Sequence, residues 1–155
     1  MRIRSILSPV ASAVAVVALA TPSQAVDNGL YRIHSAQDGK CLKNSEGYIG
    51  GEVGDCGPNA RWRLVNLPNG TVQIREANDE NRCLALSPLK IFPPNVFDDR
   101  CGNSPDQWVI DGPSDSRLVV LRLGDAPYMG TLTPNGDRAV LAGQGRPEWF
   151  LERLG

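Results

Sequence analysis

One histidine, His34, serves all 155 residues, and it falls on an expected strand with no nucleophile beside it, as a plain surface residue. Without an acid/base pair or a nucleophile-base spacing, the sequence offers no machinery for catalysis and calls for no cofactor. Runs of lysine or arginine are also missing, which argues against nucleic acid and anionic membranes as partners. After Ala25 no apolar stretch reaches membrane-spanning length, and no capped stripe of period 3.6 is long enough for a good helix. None of the four cysteines stands in the short C-x2–4-C spacing of a zinc site.

What is present begins with a leader. Arg2 and Arg4 form a positive start, Val14 to Ala20 is an almost unbroken apolar run, and Ser23-Gln24-Ala25 ends as a signal-peptidase site does. The pattern predicts cleavage after Ala25, a mature chain beginning at Val26, and an extracellular location. Setting residues 1–25 aside leaves 130 residues, which suits one domain over 26–155 with one core, and 14 basic against 17 acidic side chains, a net charge of −3. All four cysteines lie in the exported part, so an oxidising compartment joins them as two disulfides.

Short runs rich in Val, Leu, Ile and Tyr alternate with Asn-Gly, Gly-Asp and Asp-Gly-Pro, the pattern of strands joined by tight turns, so the class is all-β. The stronger signal is internal repetition. Trp62, Trp108 and Trp149 each open a strand, and each follows an earlier strand start, Tyr31, Val72 or Leu118, by 31 or 36 residues. Ten or eleven residues after those starts come Cys41-Leu42, Cys83-Leu84 and Tyr128-Met129. The unit is thus about forty residues long and occurs three times, over residues 29–69, 70–115 and 116–155.

Each unit holds four strand candidates. They are 30–35, 40–44, 51–56 and 61–67; then 71–77, 82–87, 95–101 and 107–111; then 117–123, 128–133, 138–142 and 148–154. Twelve strands in three fourfold units is the count of a β-trefoil, a six-stranded barrel capped by three hairpins. The tryptophans, opening strands of alternating apolar residues, are expected inside that barrel.

Cys56 and Cys101 precede their tryptophans by six and seven residues, where the third unit has Gly143, and Tyr128 stands where Cys41 and Cys83 stand. Joint loss of both cysteines from one unit is what pairing within each unit predicts, so Cys41–Cys56 and Cys83–Cys101 are expected over the two other connectivities.

Gly39-Lys40-Cys41-Leu42, Asp55-Cys56 and Asn59-Ala60-Arg61-Trp62 resemble the Gly-x-Cys-Leu, Asp-Cys and Gln-x-Trp series of the ricin B-type β-trefoil lectins. Asn81-Arg82-Cys83-Leu84, Arg100-Cys101 and Asp106-Gln107-Trp108 repeat the series, and Pro147-Glu148-Trp149 is its remnant. The resemblance implies a non-catalytic module that binds an extracellular glycan or polysaccharide. That family's pocket uses an aspartate two residues after the first cysteine, and an aromatic two residues before the second on which the sugar stacks. By sequence the aspartate positions hold Lys43, Ala85 and Gly130, and the aromatic positions hold Gly54, Asp99 and Leu141. Of the family's polar groups, Asn59 carries over. The candidate carbohydrate-binding residues are therefore Lys43, Glu52 and Asn59 in the first unit and Asp99 and Asp106 in the second.

The second unit departs from the repeat in the loop Ser87-Pro-Leu-Lys-Ile-Phe-Pro-Pro-Asn-Val-Phe. Pro88, Pro93 and Pro94 are expected to hold it extended, with Leu89, Ile91 and Phe92 around the basic Lys90. Three uses suit such a segment. It can fold back over the open end of the barrel, or serve another partner, or present Leu89, Lys90, Ile91 and Phe92 to an extracellular serine protease as an inhibitory loop. The β-trefoil is also the fold of the Kunitz soybean type and mushroom protease inhibitors.

Overall fold

The computed structural model describes residues 26–44, 50–113, 117–143 and 145–155. The expected leader over 1–25 lies outside the described residues.

Twelve strands follow one another in chain order. The first unit holds β1 (Gly29–Ser35), β2 (Cys41–Lys43), β3 (Glu52–Gly54) and β4 (Trp62–Asn66). The second holds β5 (Val72–Glu76), β6 (Arg82–Leu86), β7 (Val96–Arg100) and β8 (Trp108–Asp111). The third holds β9 (Leu118–Leu123), β10 (Thr131–Asn135), β11 (Arg138–Ala142) and β12 (Trp149–Arg153). Alternation at period two decides which face is buried, as Tyr31, Ile33 and Ser35 show in β1 and Val72, Ile74 and Glu76 in β5.

Six strands close a ring: β1 pairs with β4, β4 with β5, β5 with β8, β8 with β9, β9 with β12, and β12 with β1, all antiparallel. The remaining strands form the hairpins β2–β3, β6–β7 and β10–β11. This is the β-trefoil expected from the repeats, its six barrel strands closing on themselves. Among the described residues no helix is long and apolar enough to cross a membrane.

Trp62, Trp108 and Trp149 are fully buried, and their indole Nε1 atoms donate to the carbonyls of Leu42 (2.9 Å), Leu84 (2.8 Å) and Leu132 (2.9 Å). Each tryptophan thereby fills the core and ties its unit's hairpin to the barrel. The disulfides are Cys41–Cys56 and Cys83–Cys101, as pairing within units predicted, and they close loops of 15 and 18 residues. Loops of that size contribute about 3 kcal/mol each in the chain-entropy model.

The three tryptophan contacts correct the alignment of the third unit. Leu132, not Met129, corresponds to Leu42 and Leu84, so Thr131 rather than Tyr128 occupies the place of Cys41 and Cys83. Strand pairing agrees, with Thr131 facing Arg122 as Cys41 faces His34 and Cys83 faces Arg75. Counting from the strand start fails because Pro127–Met129 coils into a 3-10 turn before β10 begins. Pro127 stands at its first turn, where a missing N–H costs nothing.

The hairpins meet at the cap through main-chain bonds. Gly51 N donates to Val96 O (2.7 Å), Ala139 N to Gly51 O (2.9 Å) and Leu141 N to Pro94 O (2.7 Å). By strand register Gly51, Val96 and Ala139 are equivalent residues of the three units, and all are buried.

Candidate functional site

In the first unit Lys43 and Glu52 face each other across the β2–β3 hairpin, and Lys43 Nζ lies 3.9 Å from Glu52 Oε2. A Cβ built on Gly54 would lie 3.6 Å from Lys43 Cδ and Nζ, so the lysine stem lies over the strand position that bears the aromatic in the ricin-type pocket. Asn59 is exposed on the 3-10 turn Pro58–Ala60, and its carbonyl accepts from Asn44 N at 3.0 Å. That bond seats the turn at the end of β2, beside Lys43. The structure thus pairs Lys43 with Glu52 across the hairpin and brings the Asn59 main chain to the end of β2. A long ion pair open to solvent on its Glu52 side, such as Lys43–Glu52, is worth about 0–1 kcal/mol.

Glu76, which the sequence did not single out, lies beneath this region. Its two oxygens accept from Asn44 Nδ2 (2.9 Å) and Arg82 Nε (3.1 Å), while Arg82 Nη2 reaches Asp98 O (2.5 Å). The chain of contacts joins the first two units, and its signal is a charged residue at an inward strand position.

The second unit's candidates serve its own loop. Asp99 caps Arg100 N at 2.7 Å and accepts from Ser104 Oγ at 2.8 Å. Asp106 is 3% exposed, and its Oδ2 accepts from Gly102 N (2.8 Å) and Gln73 Nε2 (3.2 Å). Those bonds fix the turn after Cys101, and burial keeps Asp106 from solvent. In the third unit the corrected register places Thr133, not Gly130, at the aspartate position and Ala142, not Leu141, at the aromatic position. Both anchors are thus replaced in every unit.

His34 is not the plain surface residue expected. Its side chain is 20% exposed, Nε2 lies 2.6 Å from Glu152 Oε2, and Nδ1 lies 3.2 Å from Gly39 O. Nδ1 is also 3.5 Å from Cys41 Sγ and 3.7 Å from Cys56 Sγ. The partner Glu152 is 118 residues away in sequence and arrives with β12, so local spacing carries no trace of it. Among the described residues, two groups of possible metal donors, His34 with Cys41 and Cys56, and Asp106 with Cys83 and Cys101, each hold a disulfide, whose sulfurs are engaged with each other.

The 87–97 loop differs from both structural expectations. Ile91 N donates to Leu89 O at 2.9 Å, so Lys90 stands at a three-residue turn instead of in an extended segment. The prolines restrict residues 87–88 and 92–94 and leave the centre free to bend. Nor does the tip cover the barrel: Leu89, Ile91 and Phe92 are 39%, 45% and 93% exposed. The stem is held by Ser87 N to Asn95 O (2.9 Å) and by the Asn95–Val140 bridge to β11.

Residues 19–88 match the family described as ricin-type β-trefoil lectin domain-like. Among curated proteins, none matches in sequence. The fold is similar to part of a mosquitocidal holotoxin at 15% identity and TM-score 0.68, over 84% of this chain and 18% of that one. The chain thus spans under a fifth of the holotoxin's length. It is also similar to the designed three-fold symmetric protein ThreeFoil at 20% identity and TM-score 0.62, over 81% of this chain and 99% of the design. SeviL, solved bound to asialo-GM1 saccharide, matches at 16% identity and TM-score 0.62, over 82% and 98% of the two chains. The chain is a β-trefoil, similar in sequence over residues 19–88 to the ricin-type lectin-like domains and in fold to the solved trefoils along the barrel.

Proposed function

We propose that the chain is a secreted, non-catalytic carbohydrate-binding module whose contact face is the β2–β3 hairpin of the first unit, with Lys43, Glu52 and Asn59 as polar contacts. The observation that carries this reading is the cross-strand Lys43–Glu52 pair with the exposed Asn59 turn bonded to the end of β2, within the segment similar to the ricin-type family. In the second unit, by contrast, Asp106 is buried and committed to its turn. The leader-like residues 1–25 and the two disulfides support export to an extracellular location, where the ligand is a glycan or polysaccharide. The structure of SeviL with a bound saccharide supports sugar binding by this fold.

A glycan array together with polysaccharide pull-down tests the reading. Binding is expected for the wild type and at least tenfold weaker for Lys43→Ala or Asn59→Ala. Silence on every sugar rejects it.

The exposure of Phe92 and its neighbours around Lys90 favours a second reading, inhibition of an extracellular serine protease through Leu89, Lys90, Ile91 and Phe92. The turn at Lys90 does not offer the extended backbone that a protease cleft accepts. If the wild type inhibits no trypsin-like or subtilisin-like enzyme, or if Lys90→Ala inhibits equally well, this reading fails.

A further inference from the structure

The two disulfides sit in opposite chemical surroundings. Cys56 is exposed while its partner Cys41 is fully buried, and His34 Nδ1 lies 3.5 Å from the buried sulfur. Both nitrogens of that ring face oxygen acceptors, Gly39 O and Glu152 Oε2, so the ring has a place for a proton at each end. Glu152 holds it in position across the β1–β12 pairing, where His34 is opposite Phe150. Among the described residues, Cys83–Cys101 has no histidine beside it. Its neighbour is the buried carboxylate of Asp106, which lies within 4.8 Å of the sulfurs, and Cys101 Sγ otherwise faces Glu80 O at 3.7 Å.

We propose that Cys56 is a modification site for small thiols, and that His34 is the proton donor that makes Cys41–Cys56 the disulfide opened first. A small-molecule thiolate attacks the exposed Cys56 Sγ and forms a mixed disulfide there. The Cys41–Cys56 bond breaks, its electron pair stays on Cys41 Sγ, and the proton on His34 Nδ1 passes to that sulfur. A second thiolate then attacks the added sulfur, releases the Cys56 thiolate and leaves as the oxidised small-molecule disulfide, so the two electrons gained by the protein come from two thiols. At Cys83–Cys101 the emerging thiolate would face a carboxylate, which opposes negative charge.

The test is timed exposure of the folded protein to reduced glutathione, followed by acid quench, alkylation and peptide mass mapping. Cys41–Cys56 is expected to open first, with the glutathione adduct on Cys56. In His34→Gln that opening should slow about a hundredfold or more, the lower end of the usual range for a positioned acid, while Cys83–Cys101 keeps its rate. The unchanged second disulfide separates loss of a proton donor from general loosening of the fold, which would speed both. First opening of Cys83–Cys101, an adduct on Cys41, or an unaltered rate in His34→Gln would each overturn the proposal.

Discussion

Trp149 Nε1 donates to Leu132 O at 2.9 Å and so holds the one hairpin in which no disulfide is present, since Thr131 replaces the first cysteine. In the other two units a tryptophan and a disulfide share that task. Trp149→Phe removes the donor and part of the buried ring, and it should cost about 1–3 kcal/mol. Urea unfolding followed by circular dichroism measures it; a cost below about 0.5 kcal/mol would show that the contact is not needed.

Close approach of three equivalent residues governs the cap. A Cβ on Gly51 would lie 2.8 Å from Val96 Cγ2 and 3.6 Å from Ala139 Cβ. Gly51→Val should therefore destabilise by about 1–3 kcal/mol through overpacking. Adding Val96→Ala should recover part of that loss, giving a favourable coupling energy in the double-mutant cycle, whereas simple additivity would mean that the two side chains do not compete.

The barrel was legible because its causes are local. Period-two alternation, turn residues and a tryptophan at each unit's last strand all repeat along the chain, and loss of both cysteines together from the third unit identified the pairing. Tyr128 was misplaced because a 3-10 turn begun by Pro127 inserts residues without altering the apolar pattern. His34 was missed for a different reason: Glu152 reaches it only once β12 closes the barrel against β1. Asp106 looked like a polar contact by position, yet burial and two hydrogen bonds give it to the turn after Cys101. Lys43 and Glu52 pair across β2–β3 and Asn59 sits on the next turn because hairpin register and a short turn set their places locally.

Phe92 is 93% exposed, so its ring contributes almost no buried area. Phe92→Ser should leave the unfolding midpoint within about 0.5 kcal/mol of wild type, the usual span for a surface change. A loss above about 1.5 kcal/mol would mean that the loop does fold onto the barrel in solution, because burying an aromatic ring is worth that much or more.

Burial pushes the Tyr31 phenol above its ordinary value of 10.0, with Asp27 acting in the same direction and Arg153 and Arg117 against it. The hydroxyl donates to Asp27 O at 2.9 Å, a bond the phenolate cannot make. Because the folded state holds this proton more tightly than the unfolded chain, the unfolded chain releases it first as pH rises. The associated stability is therefore complete below about pH 10 and is lost as pH climbs through the folded value. Urea midpoints at about pH 8 and about pH 10.5 should fall more steeply for the wild type than for Tyr31→Phe, which lacks the titrating group while keeping the ring. Equal slopes for the two proteins would place the alkaline loss elsewhere.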